Sequence, residues 1–221
     1  MRSQEKELRQ GLLDLSLPLS EVQIKHLLDY LELIQKWTKV YNLTAVRDPA
    51  EMLTHHLLDS LAVISPLRRQ LSEPPAAAPG QSVKLLDVGS GAGLPGIVIA
   101  ICCPEIAVDC VDTVAKKAAF IRQVAATLRL PNLRGLHARV ESLTDKYDVI
   151  SSRAFASLLD FTNWSVAALA EQGVWMAMKG KHPADEMAVL PAEVKVFHVE
   201  QLVVPGLDAE RCILWLRRLG L

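Results

Sequence analysis

The segment Leu85-Leu86-Asp87-Val88-Gly89-Ser90-Gly91-Ala92-Gly93-Leu94-Pro95-Gly96 constrains this chain more than any other stretch. A mostly apolar run passes directly into a turn with glycine at alternate positions. That pattern suits the first strand of an open α/β sheet, whose ligands bind at the carboxyl ends of the strands. Glycines in such a turn permit positive φ and let a ligand approach the backbone. A formal GxGxxG runs through Gly91, Gly93 and Gly96 and would suit NAD or FAD with its pyrophosphate at a helix N-terminus. Its first glycine lies too far beyond the strand, and Pro95 opens the helix inside the motif. Gly89, Gly91 and Gly93 are better placed, with Asp87 two residues earlier.

From Val83 onward strands and helices alternate. The runs Val83–Val88, Ala107–Val111, Leu133–Ala138, Tyr147–Ser151 and Val174–Met178 are short and mostly apolar, as strands covered on both faces are. Helices are expected at Pro95–Cys102, Ala115–Leu130 and Ser157–Ala170. The second buries Ile121, Val124, Ala125 and Leu128 and leaves Lys116, Arg122 and Arg129 to solvent or a ligand. Val194–Val199 and Cys212–Leu216 have no long helix between them and suit an antiparallel end to the sheet. An open α/β fold is the economical answer. Asp112 ends the second strand roughly twenty residues after the glycine loop, the usual place for a carboxylate that bonds ribose hydroxyls.

Ahead of the sheet, Ile24, Leu27, Leu28, Leu31 and Ile34 recur at helical spacing behind Ser20, a plausible N-cap, and predict a helix to about Lys39. A second helix is expected after Asp48-Pro49, through Met52, Leu57, Leu58 and Leu61. Between them Val40-Tyr41-Asn42-Leu43-Thr44 reads as a loop whose polar members have no evident structural job. Ser72–Gly80, SEPPAAAPG, breaks the periodicity and reads as a linker. It divides a helical extension (1–80) from an α/β domain (81–221).

Half of the 221 residues are hydrophobic, enough for a packed core and against intrinsic disorder. Lys and Arg number 24 against 25 Asp and Glu, a net charge of −1, which excludes a general basic coat for nucleic acid. Any such contact must come from a local patch. Cys102, Cys103, Cys110 and Cys212 form no CxxC pair and no metal-ligand spacing, so no metal is expected. The charged N-terminus lacks the apolar core of a signal peptide, and no apolar stretch approaches a membrane span. A soluble, cytoplasmic monomer is expected.

The D-x-G-x-G-x-G pattern of Asp87, Gly89, Gly91 and Gly93 resembles motif I of class I S-adenosylmethionine-dependent methyltransferases. Around it stand Trp37, Tyr41-Asn42-Leu43-Thr44, His55-His56-Leu57-Leu58-Asp59-Ser60-Leu61, VDTVAKKAAF, HARVES, Ser152-Arg153-Ala154 and Met178-Lys179-Gly180. In this order and spacing they resemble the RsmG family, also called GidB, which methylates N7 of guanine 527 in bacterial 16S ribosomal RNA. The likeness covers about Trp37 to Gly180; Thr113 stands where the family often has serine. It implies a Rossmann-like class I methyltransferase sheet with an N-terminal helical extension and S-adenosylmethionine as cofactor. The implied partner is 16S ribosomal RNA, within the small subunit or an assembly intermediate. Cofactor contacts are implied for Asp87, Gly89, Ser90, Gly91, Leu94, Val140, Glu141 and Arg153, with Asp112 on the ribose. Lys116, Lys117, Arg139 and Lys179 become candidates for RNA phosphate or the cofactor. Asn42, His55 and Asp59 become candidates for RNA or the cofactor end.

Guanine N7 carries an in-plane lone pair and no proton, so its methylation needs no general base. The chain accordingly shows no evident Ser-His-Asp or paired-carboxylate site. Positioning and electrostatics remain for the protein, and Arg153, after the fourth strand, is the catalytic candidate through its rigid donor fork. The major groove of A-form RNA is too deep and narrow to admit side chains, so a single-stranded or distorted target is expected, with the base partly extruded. Three other readings remain: a class I methyltransferase of a small molecule or protein, a nucleotide-linked oxidoreductase, and a cofactor-binding RNA module without turnover.

Overall fold

This computed structural model describes residues 2–41, 43–72 and 82–220. Asn42 and nearly all of the expected linker lie outside the described residues. The front of the chain begins with α1 (Arg2–Asp14), which the periodicity did not reveal. Its Leu8 and Leu12 are buried, and Arg9 ties it to the next helix through Glu21. α2 (Glu21–Tyr41) opens on a capping box, with the Gln23 N–H donating to Ser20 Oγ (3.3 Å) and the Ser20 N–H to Gln23 Oε1 (3.0 Å). It buries Ile24, Leu27, Tyr30, Leu31 and Ile34, each stabilising by roughly 1.5–3 kcal/mol if fully buried.

α3 (Pro49–Met52) starts where Asp48 Oδ1 accepts from the Ala50 N–H (2.8 Å). It continues into π geometry over Leu53–Leu58 and then into α4 (Asp59–Leu61). α5 (Ile64–Ser72) closes the front.

The sheet half runs β1 (Lys84–Val88), α6 (Gly96–Cys102), β2 (Ala107–Asp112), α7 (Ala115–Thr127), β3 (Leu133–His137) and β4 (Tyr147–Arg153), then α8 (Leu158–Ser165), β5 (Leu169–Lys179), α9 (Ala184–Ala188), β6 (Val194–Leu202) and β7 (Arg211–Arg218). Strand order is β3-β2-β1-β4-β5-β7-β6; β1 to β5 are parallel, and β7 pairs antiparallel with both β5 and β6. The chain leaves β3 on one side of β1 and returns as β4 on the other, a topological switch point that opens a crevice at the carboxyl ends.

The expected helix over Ser157–Ala170 is shorter and ends at Ser165. Ser165 Oγ donates to Phe161 O and accepts from Trp175 Nε1 (2.9 Å), and a 3₁₀ turn at Val166–Ala168 leads into β5. β5 therefore starts at Leu169 rather than Val174, pairing Leu169 with Tyr147 before a register irregularity. Arg122, expected free on α7, donates to Gly135 O (3.2 Å).

The helical front and the sheet share one apolar core, in which Leu27, Leu31, Leu57 and Leu67 join Val98, Ile99 and Phe120. Polar contacts fix the same junction. Buried Tyr30 Oη donates to Ala92 O (2.7 Å) in the glycine loop. Gln23 Nε2 donates to Ile101 O and Cys102 O, and Arg68 Nη2 to Cys102 O, satisfying carbonyls that the end of α6 leaves open. No described helix is long and apolar enough to cross a membrane.

Candidate active site

Strand register builds the site. Val88 pairs with Val111 on one side and Ser152 on the other, so Gly89, the next residue, is flanked by Asp112 and Arg153. Gly89 turns at φ +65°, and a Cβ there would meet the Phe155 ring at 2.1 Å, so the position excludes any side chain. The Gly91 N–H donates to Asp112 Oδ2 (3.0 Å) and the Val114 N–H to Oδ1 (2.8 Å), which orients the carboxylate beside the loop. After Arg153, Ala154 adopts φ +51°, a left-handed conformation that costs a residue with a Cβ about 1–2 kcal/mol.

Two cavities abut at Gly89 and Ala154. One, about 510 Å³, is walled by Ser90, Gly91, Leu94, His55, Arg153 and Arg211, among others. The other, about 440 Å³, is walled by Asp112, Val140, Glu141, Arg139, Phe155 and Trp164, among others.

Asp59 organises the first cavity. The residue is 2% exposed, and its carboxylate accepts from Arg153 Nη1 at Oδ2 (2.7 Å) and Arg211 Nε at Oδ1 (2.9 Å). A π turn changes which carbonyls meet the helix's own amides, and here His55 O accepts from Arg153 Nη1 (2.8 Å). Three charges, two positive and one negative, thus lock the HHLLDS helix to the ends of β4 and β7. The wall they form is net cationic. His56 is buried beside it, with Nε2 bonded to Thr44 Oγ1 (2.8 Å); burial, reinforced by Arg153, pushes its pKa down to about 4. Thr44 Oγ1 also accepts from the Val46 N–H (3.2 Å), so the loop that showed no structural job has one.

A model of the family described as GidB, rRNA small subunit methyltransferase G, matches residues 23–214. The chain belongs to the GidB family. Among curated proteins named ribosomal RNA small subunit methyltransferase G, that of Albidiferax ferrireducens is 73% identical over 221 residues, covering 99% of each chain. That of Polaromonas sp. strain JS666 is 69% identical, covering 98% of this chain and 95% of its own. The fold is that of class I S-adenosylmethionine-dependent methyltransferases. TrmN from Thermus thermophilus superposes with a TM-score of 0.57 at 20% identity, over 76% of this chain and 53% of its own. Coclaurine N-methyltransferase, solved with SAH, gives 0.57 at 12% identity, over 91% of this chain and 72% of its own. The methyl donor of such an enzyme is S-adenosylmethionine.

Against that family, the expected site residues divide into three groups. Gly89, Ser90, Gly91, Leu94, Arg153, His55 and Lys179 line the first cavity, and Asp112, Val140, Glu141, Lys117 and Arg139 the second. Asp87 lines neither. Its carboxylate is buried, accepting from Ser151 Oγ (2.9 Å) and the Gly96 N–H (3.1 Å), and burial pushes its pKa up to about 7. Gly96 lies where a Cβ would meet Cys110 Sγ at 2.4 Å, so this glycine serves close packing of α6 on the sheet. Lys116 is exposed, 5.4 Å from the centre of the Tyr41 ring, and lines neither cavity. Lys117 lies 3.7 Å from Asp112. Lys179 faces inward, onto Glu186 and Ala156 O. Asn42 is outside the described residues. Arg211 and Glu186 went unnoticed in the sequence, where each is one charge in an unremarkable polar stretch.

Proposed function

We propose that this chain transfers the methyl group of S-adenosylmethionine to N7 of guanine 527 in 16S ribosomal RNA. Family membership supports a methyltransferase of small-subunit ribosomal RNA; N7 and position 527 rest on the motif resemblance. The observation that carries the reading is the pair of cavities meeting at Gly89, one walled by oriented Asp112 with Val140 and Glu141, the other by Arg153 and Arg211. Together the two compartments give room for a donor and an acceptor, and their boundary, Gly89 and Ala154, carries nothing larger than a methyl group.

The residues fit the cofactor. Ser90 borders the first cavity, and among the described residues its buried hydroxyl has only the weak Cys110 thiol for company. A Cβ at Gly91 would meet nothing nearer than Gly89 O at 4.0 Å, so the backbone there is approachable. Asp112 suits the ribose, Val140 and Glu141 the adenine, and Gly89 to Gly91 the amino-acid end. When bound, S-adenosylmethionine supplies an electrophilic methyl group on a sulfonium. Arg153, held by Asp59 and His55 O, orients the target guanine, and the cationic wall draws the RNA backbone toward the mouth. No residue needs to accept a proton from N7, and His56 is neutral at pH 7.

The test supplies labelled methyl donor to the protein with small ribosomal subunits, naked 16S ribosomal RNA and free guanosine, followed by mass-spectrometric mapping. One 7-methylguanine at position 527 is expected. Label on another nucleotide, or on free guanosine but not RNA, would overturn the reading.

A further inference from the structure

Lys179 and Glu186 form a clamp that the chemistry above does not use. Lys179, the last residue of β5, donates from its ammonium to Ala156 O (2.9 Å) and to both Glu186 oxygens (2.8 and 3.0 Å). Glu186, on α9, also accepts from the Leu158 N–H (2.6 Å). One ion pair therefore holds two backbone groups of a single short segment, Ala156 O and Leu158 N. An ammonium has three donors, and those of Lys179 are directed into the protein.

The clamped segment is the one that follows Arg153. It contains Ala154 in its left-handed conformation and Phe155, whose ring occupies the space a side chain on Gly89 would need. Phe155 meets Trp164 edge to face at 5.8 Å, and both wall the second cavity; Ala154 borders both cavities. A strained turn at a ligand site persists when its surroundings hold it, and the ion pair is such a hold.

We propose that Glu186 is a positioning residue that acts through Lys179 and Leu158 to hold Phe155 over Gly89 at the junction of the two cavities. The inference deepens the methyltransferase reading and rests on it for the identity of the bound molecule. It assigns Lys179 to the clamp rather than to RNA phosphate.

The experiment compares the full-length wild-type chain with Glu186→Ala, Glu186→Gln, Lys179→Met and the Glu186→Ala/Lys179→Met double variant. Amide hydrogen exchange without ligand, affinity for S-adenosylhomocysteine by calorimetry, and KM for RNA are measured. Glu186→Ala is expected to speed exchange across 154–158 at least tenfold and to weaken S-adenosylhomocysteine about tenfold, leaving KM for RNA within twofold. Glu186→Gln, which keeps an acceptor for the Leu158 N–H, recovers part of both losses. The double variant behaves as Glu186→Ala alone. Exchange and affinity within twofold of wild type, additive losses, or a loss confined to RNA binding would each overturn the proposal. Should Glu186→Ala fail to fold, Glu186→Gln and Lys179→Met carry the same comparison. A wild-type chain that ignores S-adenosylhomocysteine would sink the functional reading instead, while exchange at 154–158 still decides whether Glu186 holds the segment.

Discussion

Arg153 Nη1 and Asp59 Oδ2 lie 2.7 Å apart across 94 residues of sequence, and Arg211 Nε completes the bridge from the other oxygen at 2.9 Å. Removing the buried carboxylate leaves two partly exposed arginines without their counter-charge, at up to about 3 kcal/mol. Asp59→Ala is expected to lower stability on that scale and to cut single-turnover methylation by more than a hundredfold. Asp59→Asn, which keeps an acceptor, should lose less of both. Denaturant unfolding and rapid-quench kinetics measure the two effects, and wild-type stability in Asp59→Ala would contradict the bridge.

Arg153→Ala tests a different point. Asp59 keeps Arg211 as partner, so the fold is expected to survive with a modest drop in Tm while turnover falls about a hundredfold or more. Arg153→Lys should rescue little, because a point charge lacks the planar donor fork. Normal single-turnover rates in folded Arg153→Ala would remove the residue from the reaction.

At Gly89, the required φ of +65° and the Phe155 ring at 2.1 Å act together. Gly89→Ala is expected to weaken S-adenosylhomocysteine by more than tenfold and to cost about 1–3 kcal/mol of stability. Calorimetry and thermal unfolding read these separately. Unchanged affinity would mean the cofactor does not cross this boundary.

Two buried groups should pull stability in opposite directions as pH changes. The Asp87 carboxyl is raised to about 7 in the fold, above an unfolded value of about 4. Its stabilising contribution is complete below about pH 4 and is lost as pH rises through 7. His56 is lowered to about 4 in the fold, below an unfolded value of about 6.5. Its contribution is complete above about pH 6.5 and is lost as pH falls through 4. The slopes oppose each other. Asp87→Asn should therefore make Tm drop more steeply than wild type on acidification from pH 7 to 4, and His56→Gln the reverse. Identical profiles in all three proteins would show that these groups do not govern the curve.

RNA binding should depend only moderately on salt. The net charge is −1, Lys179 is paired with Glu186, and the exposed candidates near the site are Lys116 and Arg139. A handful of phosphate contacts predicts a log–log slope of about −2 to −4 at roughly −0.7 per phosphate for single strands. Filter binding from low to physiological salt measures it. A slope steeper than about −5 would place the interface elsewhere.

Much of the fold could be read from neighbours in the chain. The Ser20 cap, the Asp48-Pro49 start, the apolar strands and the glycine turn are local signals, and most elements stand close to their expected places; α1 carries no such signal, α2 runs on through Val40 and Tyr41 of the expected loop, and the α8–β5 boundary is displaced by five residues. The end of α8 has no local signal: Ser165 accepts from Trp175, ten positions on and in another element. Asp87 was legible as a strand-end carboxylate but not as a buried one, since burial depends on Ser151 from β4 lying beside it. The candidate site was half legible: Asp112 and Arg153 close their strands and Gly89 follows its own, at the carboxyl ends where any open α/β sheet gathers its ligand contacts.

Composition, periodicity and glycine spacing were sufficient for an open α/β sheet with a ligand loop after its first strand, because backbone preferences act over a few residues. They were silent on which charges face inward. Asp59 meets Arg211 across 152 residues, Tyr30 meets Ala92 across 62, and Glu186 meets Leu158 across 28. Such pairs leave no periodic trace, since a charged side chain in a sequence looks the same whether water or a buried partner satisfies it. The distinction arises when strand order places β1 between β2 and β4 and the helical front closes over their ends, removing water from some of these groups and leaving it to the rest.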